Sequence, residues 1–137
     1  MRIRELIKKY DGKTVVDSVS FQIPRGKVTS FIGPNGAGKS TFLRLAAGIL
    51  KADEGHVTID GEEVFENIKA KKKFFYIPDD AHFFSNASPL DMMEYYSVVY
   101  ERFDKARFHK LMGNFGLDEK RKIHTFSKGM KKQESVI

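Results

Sequence analysis

The segment of residues 33–41 constrains this chain more strongly than any other part of the sequence. It reads Gly-Pro-Asn-Gly-Ala-Gly-Lys-Ser-Thr and matches the phosphate-binding loop pattern G-x-x-x-x-G-K-[ST]. Backbone N–H groups can wrap a polyphosphate only where glycines allow unusual dihedral angles and leave no side chain in the way. The pattern therefore predicts a nucleoside triphosphate site with these binding residues: Gly33, Pro34, Asn35, Gly36, Ala37, Gly38, Lys39, Ser40 and Thr41.

Two residues of the loop have distinct chemical tasks in this prediction. Lys39 would contact the β and γ phosphates as a point charge, and the Ser40 hydroxyl would contact Mg²⁺. The flanks favour the same interpretation, because residues 28–32 read as a buried strand and residues 39–50 as a helix with one apolar face. The alternative is a glycine-rich turn that merely joins a strand to a helix.

The composition limits the kinds of protein that this chain can be. With 137 residues and 41% hydrophobic content, it can form one α/β domain with a core. No apolar run reaches the ~18 residues of a membrane span, so we expect a cytoplasmic protein. Cysteine is absent from the sequence, which excludes thiolate metal sites and leaves the Mg²⁺ of the nucleotide as the only metal that we expect.

The net charge of +6 is concentrated in residues 69–73 and 120–132. Both stretches are interpreted as solvated faces, and the alternative is a docking surface for anionic lipid or for a partner. Aromatic residues make up 12% of the chain, but most lie beside other apolar residues and not in the exposed pattern of a stacking platform. We therefore expect no nucleic-acid partner.

Short-range signals predict the strands outside the loop. Residues 2–8 and 15–23 have the pattern of strands joined by a turn at Asp11 and Gly12. Residues 55–61 alternate like a strand with one exposed face and then turn. An antiparallel part is therefore expected around the phosphate loop.

From Ser88 onwards the pattern becomes helical. Ser88 is predicted to cap a helix, with Pro89 at the first helical position and Asp91 at the third. A second helix is predicted to close at Gly116. The apolar faces of these two helices hold Leu90, Met93, Ser97 and Tyr100, and then Phe108, Leu111, Met112 and Phe115.

The order of these parts resembles the ATP-binding cassette (ABC) family, the nucleotide-binding subunits of membrane transporters. The resemblance rests on the loop and on residues 126–130, whose sequence Phe-Ser-Lys-Gly-Met is similar to the family signature Leu-Ser-Gly-Gly-Gln. This form of the signature resembles that of bacterial exporter-type members. The fold that it implies is α/β, an ABC-type nucleotide-binding domain of the P-loop NTPases, incomplete here. Residues 1–87 would form the nucleotide-binding core with an antiparallel β part, and residues 88–137 a helical subdomain that ends at the signature.

The resemblance implies roles for three residues outside the loop. Tyr10 stands where the family stacks an aromatic ring on adenine, and the alternative for this residue is packing at a hairpin end. Ser127 and Gly129 stand where the signature binds the γ phosphate of ATP held by a partner. The family thus implies ATP and Mg²⁺ as cofactors. It also implies a second ABC subunit arranged head to tail and a transmembrane permease, at the inner face of the cell membrane.

Residues 73–80 predict a strand that stops at Pro78. In the family such a strand ends in a glutamine that contacts Mg²⁺, and Asp79 occupies that position here, so the metal ligands that we predict are Ser40 and Asp79. Asp79 is shorter than glutamine by one methylene and is charged, so it would act through water or not at all. The alternative is a Walker B strand with acidic ligands, but Pro78 would remove a hydrogen bond from a central strand.

The sequence ends at Ile137, before the Walker B strand and the switch histidine that the family places after the signature. We therefore assign no catalytic residue, and we expect nucleotide binding without sustained hydrolysis by this chain. The function implied by the resemblance is that of an ATP-binding subunit that couples ATP binding and hydrolysis to membrane transport, here truncated. The alternatives are another P-loop enzyme, such as a nucleotide kinase, and a non-catalytic remnant.

Overall fold

The hairpin predicted around Asp11 and Gly12 is present in the computed structural model, which describes residues 1–78 and 83–137. Strand β1 (Arg2–Tyr10) pairs antiparallel with β2 (Lys13–Gln22). Asp11 and Gly12 have φ angles of 47° and 78°. Two consecutive residues with positive φ twist a two-residue turn in the sense that the paired strands require.

The other edge of β1 pairs with β3 (Glu54–Ile59), which pairs in turn with the short β4 (Glu62–Glu63). The sheet has the order β2-β1-β3-β4, and all of its pairs are antiparallel. The antiparallel part expected from the sequence is thus confirmed. A short helix, α2 (Ile68–Lys71), follows β4 and is capped by the side chain of Asn67.

One face of this sheet packs against helix α1 (Lys39–Ala46). Ile3 and Leu6 of β1 both reach this core although they are three residues apart, because the register of the strand shifts between them. Three phenylalanine rings, those of Phe21, Phe31 and Phe42, lie with centroids 4.8 to 5.5 Å apart at one side of this core. The buried members of the cluster are Ile3, Leu6, Val16, Phe42, Leu45, Ala46, Val57, Val64 and Ala70.

Residues 28–32 do not form the buried strand that the sequence predicted. Val28 and Ile32 are each 96% exposed, and only Phe31 of this segment packs against the core. A strand needs a hydrogen-bonded neighbour, and none of the described residues pairs with this segment. Its apolar composition alone was therefore a misleading signal.

The helix predicted over residues 39–50 is shorter than expected, and the strand predicted over residues 73–80 is absent from residues 73–78. Helix α1 closes before Gly48, whose φ is +62°, and a Cβ at Gly48 would lie 2.8 Å from the carbonyl oxygen of Val64. Residues 73–78 belong to no strand of the described sheet. Asp79 and Asp80, the acidic end of the predicted strand, lie outside the described residues.

The chain divides into two compact units, Met1–Tyr76 and Ile77–Ile137. The second unit contains α3 (Pro89–Val99), α4 (Lys105–Phe115), a 3₁₀ helix (Ile123–Thr125) and α5 (Lys128–Glu134). This boundary precedes Ser88, the residue at which the sequence pattern predicts that the helical part begins. The functional division of the chain at residue 88 remains a prediction. The core of the second unit consists of Ala87, Met92, Met93, Phe108, Met112, Leu117, Ile123 and Phe126.

The predicted start of α3 is confirmed in detail. The Ser88 hydroxyl oxygen accepts from the Asp91 amide at 3.3 Å, and the Asp91 carboxylate accepts from the Ser88 amide at 2.8 Å. These two bonds form a capping box that satisfies backbone N–H groups at the helix start. The bonds from the Ser88 amide and hydroxyl hold the pKa of Asp91 below its usual value, because they stabilise the ionised carboxylate.

The apolar faces of the two long helices are only partly as predicted. In α3 the buried residues are Pro89, Met92 and Met93, so the predicted face is confirmed at Met93. Tyr100 follows the helix and is 48% exposed. The face predicted for α4 is confirmed at Phe108 and Met112, and the helix closes at Gly116 with φ +64°. In the described part of the chain, no helix combines the length and the apolar character needed to cross a membrane.

Candidate nucleotide site

The phosphate loop connects residues 28–32 to α1, and glycines shape it. Gly36 and Gly38 have φ angles of +82° and +83°, in the left-handed region that side chains disfavour. Gly38 also lies against β2, since a Cβ at this position would be 2.6 Å from the carbonyl oxygen of Val15. Glycine at residue 38 thus satisfies a conformational requirement and a steric requirement together.

Lys39 folds back over the loop that precedes it. Its ammonium group donates hydrogen bonds to the carbonyl oxygens of Gly33 and Pro34, each at 2.7 Å. These bonds hold a positive charge beside the loop glycines, where a bound phosphate would lie. Phosphate oxygens accept stronger hydrogen bonds from an ammonium group than neutral carbonyl oxygens do. A bound phosphate can therefore replace the two carbonyl oxygens as the partner of Lys39.

The start of α1 offers further donors to an anion. The first N–H groups of a helix have no acceptor within the helix, and the helix dipole places partial positive charge there. Gly38 is the residue at the N-cap and provides no side chain to satisfy these donors. The amides of Lys39, Ser40 and Thr41 therefore fit a polyphosphate at the position that the loop motif predicts.

Of the two predicted metal ligands, the described residues include only Ser40. Ser40 is exposed in the first turn of α1, whereas Asp79 lies outside the described residues. Across residues 1–78 and 83–137, no three His, Cys, Asp or Glu side chains cluster as metal ligands would. The exposed Ser40 hydroxyl fits Mg²⁺, which proteins commonly hold through few side chains together with substrate phosphates and water.

Tyr10 stands at the end of β1, on the hairpin whose second strand contacts Gly38. Its side chain is 43% exposed, and the Lys8 ammonium lies 5.6 Å from the ring centroid. An exposed ring can stack on a base, and a lysine over a ring is a favourable cation–π contact. Both interpretations of Tyr10 from the sequence therefore remain open.

The Tyr10→Ala substitution separates these interpretations. If the ring stacks on adenine, we expect ATP binding to weaken by roughly 1–3 kcal/mol, the value of one such contact. Tyr10→Phe is the matched control, because it keeps the ring and should keep most of the affinity. Titration calorimetry with Mg·ATP measures both effects. Equal affinity in wild type and Tyr10→Ala would assign the ring to the hairpin alone.

The signature-like segment lies in the second unit, where it follows the 3₁₀ helix and includes the first turn of α5. Phe126 is buried and anchors the segment in the helical core. Ser127 caps α5, where its hydroxyl oxygen accepts from the amide of Met130 at 3.2 Å. Gly129 is exposed in the first turn of α5. A serine hydroxyl that accepts one hydrogen bond keeps its own proton to donate to another group.

One residue near this segment was missed by the sequence analysis. Arg121 was grouped with a solvated basic stretch, but its guanidinium binds Thr125 and lies over the ring of Phe126. The spacing gave no such signal, because Arg121 precedes the 3₁₀ helix and shares no helical turn with Thr125. The contact with Phe126 depends on tertiary packing.

The model of the family described as ABC transporter matches residues 16–137. The chain is 32% identical over 137 residues to the ABC transporter ATP-binding protein YtrB of Bacillus subtilis. This alignment covers 100% of the chain and 47% of YtrB. A solved ATP-binding subunit of an ABC transporter aligns with a TM-score of 0.83 at 25% identity, over 98% of this chain and 59% of that subunit. The structure of cbiO1 from Clostridium perfringens, part of the ABC transporter complex cbiONQ, aligns with a TM-score of 0.70 at 25% identity, over 98% of this chain and 58% of cbiO1.

The fold is therefore that of the nucleotide-binding domains of ABC ATPases, and the fold class predicted from the sequence is confirmed. The chain belongs to the ABC transporter family, as the resemblance indicated. It spans about half the length of the curated relatives that it matches, with 47% of YtrB covered.

Proposed function

We propose that this chain binds Mg·ATP on the loop of residues 33–41, as the ATP-binding part of an ABC transporter. The observation that carries this proposal is the close approach of Gly38 to the carbonyl oxygen of Val15. Gly38 directly precedes the first amides of α1, and the Lys39 ammonium bonds back to the loop. No side chain caps these amides, so they suit a polyphosphate. Ser40, and Asp79 through water, are the proposed metal ligands, and bound Mg²⁺ would neutralise phosphate charge.

The proposal extends to a second ABC subunit arranged head to tail. In this arrangement the Ser127 hydroxyl and the Gly129 amide contact the γ phosphate of the nucleotide on the partner's loop. The structure supports this role through the exposure of both residues and the fixed position of the Ser127 oxygen. ATP binding would then join two chains, and hydrolysis by the complete subunit would drive transport.

The third part of the proposal is a transmembrane permease that places the chain at the cytoplasmic side of a membrane. The second unit has apolar side chains at its surface that suit a protein partner. Val98 is 85% exposed and Val99 is 52% exposed near the end of α3. The rings of Phe84 and Tyr95 form an edge-to-face pair with their centroids 4.8 Å apart, and both rings are about half exposed.

Lys39→Ala tests the nucleotide site. Wild type should gain about 2.7 kcal/mol of stability when Mg·ATP is present at ~100 times its Kd. Lys39→Ala should bind about 10-fold to 100-fold more weakly, because it loses charge-assisted hydrogen bonds to phosphate. Thermal melting with and without Mg·ATP measures the gain, and calorimetry measures the affinity.

The matched control for this experiment is Lys51→Ala, which removes an exposed lysine outside the loop. It should keep the full ATP-dependent shift in melting temperature. An equal shift in wild type and in Lys39→Ala would contradict the proposed site. A shift with GTP as large as that with ATP would show that the site does not select adenine.

A further inference from the structure

The 3₁₀ helix before the signature-like segment is held by one arginine. Arg121 donates from Nε to the Thr125 hydroxyl at 2.9 Å and from Nη2 to the Thr125 carbonyl oxygen at 3.0 Å. The Thr125 hydroxyl donates in turn to the Lys122 carbonyl at 2.7 Å. Two parallel bonds from a planar guanidinium fix direction as well as distance, which a lysine cannot do.

The same guanidinium also touches the next residue of the chain. Its central carbon lies 5.7 Å from the ring centroid of Phe126, within the range of a cation–π contact. Phe126 is buried from its other side by the helical core, so its ring lies between that core and Arg121. The backbone of Thr125 and Phe126 is thus constrained on both sides immediately before Ser127.

This constraint bears directly on the position of the Ser127 hydroxyl. The Phe126 amide bonds the Ile123 carbonyl at 3.0 Å, which closes the 3₁₀ turn, and Ser127 then begins α5 as its cap. Few rotations remain between Thr125 and the Ser127 oxygen, because Thr125 is hydrogen-bonded to Arg121, Phe126 is buried, and Ser127 accepts from the Met130 amide. A hydroxyl that must meet a phosphate on another molecule gains affinity from such preorganisation.

We propose that Arg121 is a positioning residue that orients Ser127 toward the γ phosphate of ATP bound to a second copy of this chain. The inference rests on the proposed function of Ser127. Arg121 itself does not contact the phosphate in this arrangement. Its exposed side chain acts through Thr125 and Phe126, so its removal should affect association of two chains and leave the phosphate loop intact.

The experiment measures two quantities on the full chain. Calorimetry at low protein concentration gives the affinity of the monomer for Mg·ATP, and analytical ultracentrifugation gives the self-association that Mg·ATP induces. For Arg121→Ala we expect the monomer affinity to stay within about twofold, and the association to weaken by about tenfold, as the misplacement of one charge-assisted contact entails. Lys120→Ala, which removes a neighbouring exposed cation, is the control and should change neither quantity.

Three further variants separate positioning from a general loss of structure. Arg121→Lys keeps the charge without the planar fork and should restore only part of the association. Thr125→Val removes the hydroxyl that accepts from Arg121 and should weaken association in the same sense. Ser127→Gly removes the proposed phosphate contact at little cost to the helix cap, and adding Arg121→Ala to it should weaken association no further.

The possible outcomes distinguish this inference from the proposed function. Failure of wild type to bind ATP, or to associate when ATP is bound, contradicts both of them. If Mg·ATP induces the same self-association in wild type and in Arg121→Ala, this inference alone is overturned. Additive losses in the double variant of Arg121 and Ser127 also overturn it, because they would show that Arg121 does not act through the serine.

Discussion

At pH 8, the Glu134→Gln variant is expected to be more stable than wild type by roughly 3 kcal/mol. Glu134 lies near the end of α5, is 7% exposed, and has one carboxylate oxygen, Oε2, without a hydrogen-bond partner in the described chain. Burial raises the pKa of Glu134 from 4.5 to about 7, since a charge loses its hydration there. Glutamine has the same shape and carries no charge.

The sign of the pH dependence follows from the direction of this shift. Between pH 4.5 and about 7 the folded chain binds a proton at Glu134 that the unfolded chain has released. The free energy of unfolding of wild type therefore falls as the pH rises through this interval and becomes constant above it. The variant lacks this group, so its advantage over wild type should vanish near pH 4.5 and be complete at pH 8.

Urea denaturation at several pH values between 4.5 and 8 measures this difference. The matched control is Glu101→Gln, because Glu101 is exposed and its substitution should leave the pH dependence of stability as in wild type. A difference between wild type and Glu134→Gln that is constant with pH would show that the carboxylate is hydrated in the folded chain.

The second large effect is expected from Gly38→Ala, which should destabilise the chain by roughly 2–5 kcal/mol. The left-handed backbone at φ +83° costs a residue with a Cβ about 1–2 kcal/mol. Overlap of that Cβ with the Val15 carbonyl oxygen, at 2.6 Å, adds the roughly 1–3 kcal/mol of an overpacked site. Relief of this overlap would move the loop away from β2, so ATP binding should be lost as well.

Gly36→Ala is the matched control for this prediction. Gly36 has nearly the same φ angle, +82°, but a Cβ there would meet nothing within 4 Å. This variant should therefore show only the conformational cost of about 1–2 kcal/mol. Denaturant unfolding of both variants gives the comparison. Equal destabilisation of Gly36→Ala and Gly38→Ala would contradict the close contact between Gly38 and β2.

Features that depend on a few neighbouring residues were predictable from the sequence. The turn at Asp11 and Gly12, the capping box of Ser88 and Asp91, and the helix end at Gly116 all appear where local patterns placed them. Each of these features is decided by hydrogen bonds or by dihedral angles within one turn of the chain. Sequence patterns report such local requirements directly.

The main error of the sequence-based prediction was to assign strands to two segments that are not strands in the structure. Residues 28–32 and 73–78 are apolar enough to read as strands, yet neither segment is a strand of the described sheet. A strand is stabilised by hydrogen bonds to another segment, and its own composition cannot provide them. The buried face of α3 was predicted only in part, because Met93 is buried as expected, whereas Tyr100 lies beyond the helix.

The sequence by itself determined the phosphate loop, the hairpin, the helix caps and membership of the ABC family, since all of these are written in short runs of adjacent residues. Only the tertiary structure decided that Gly38 packs against Val15, that Glu134 is buried, and that Arg121 lies over Phe126. Burial and close packing depend on how elements pack around a core. No local pattern specifies the neighbour that a side chain meets when segments distant in the chain come together.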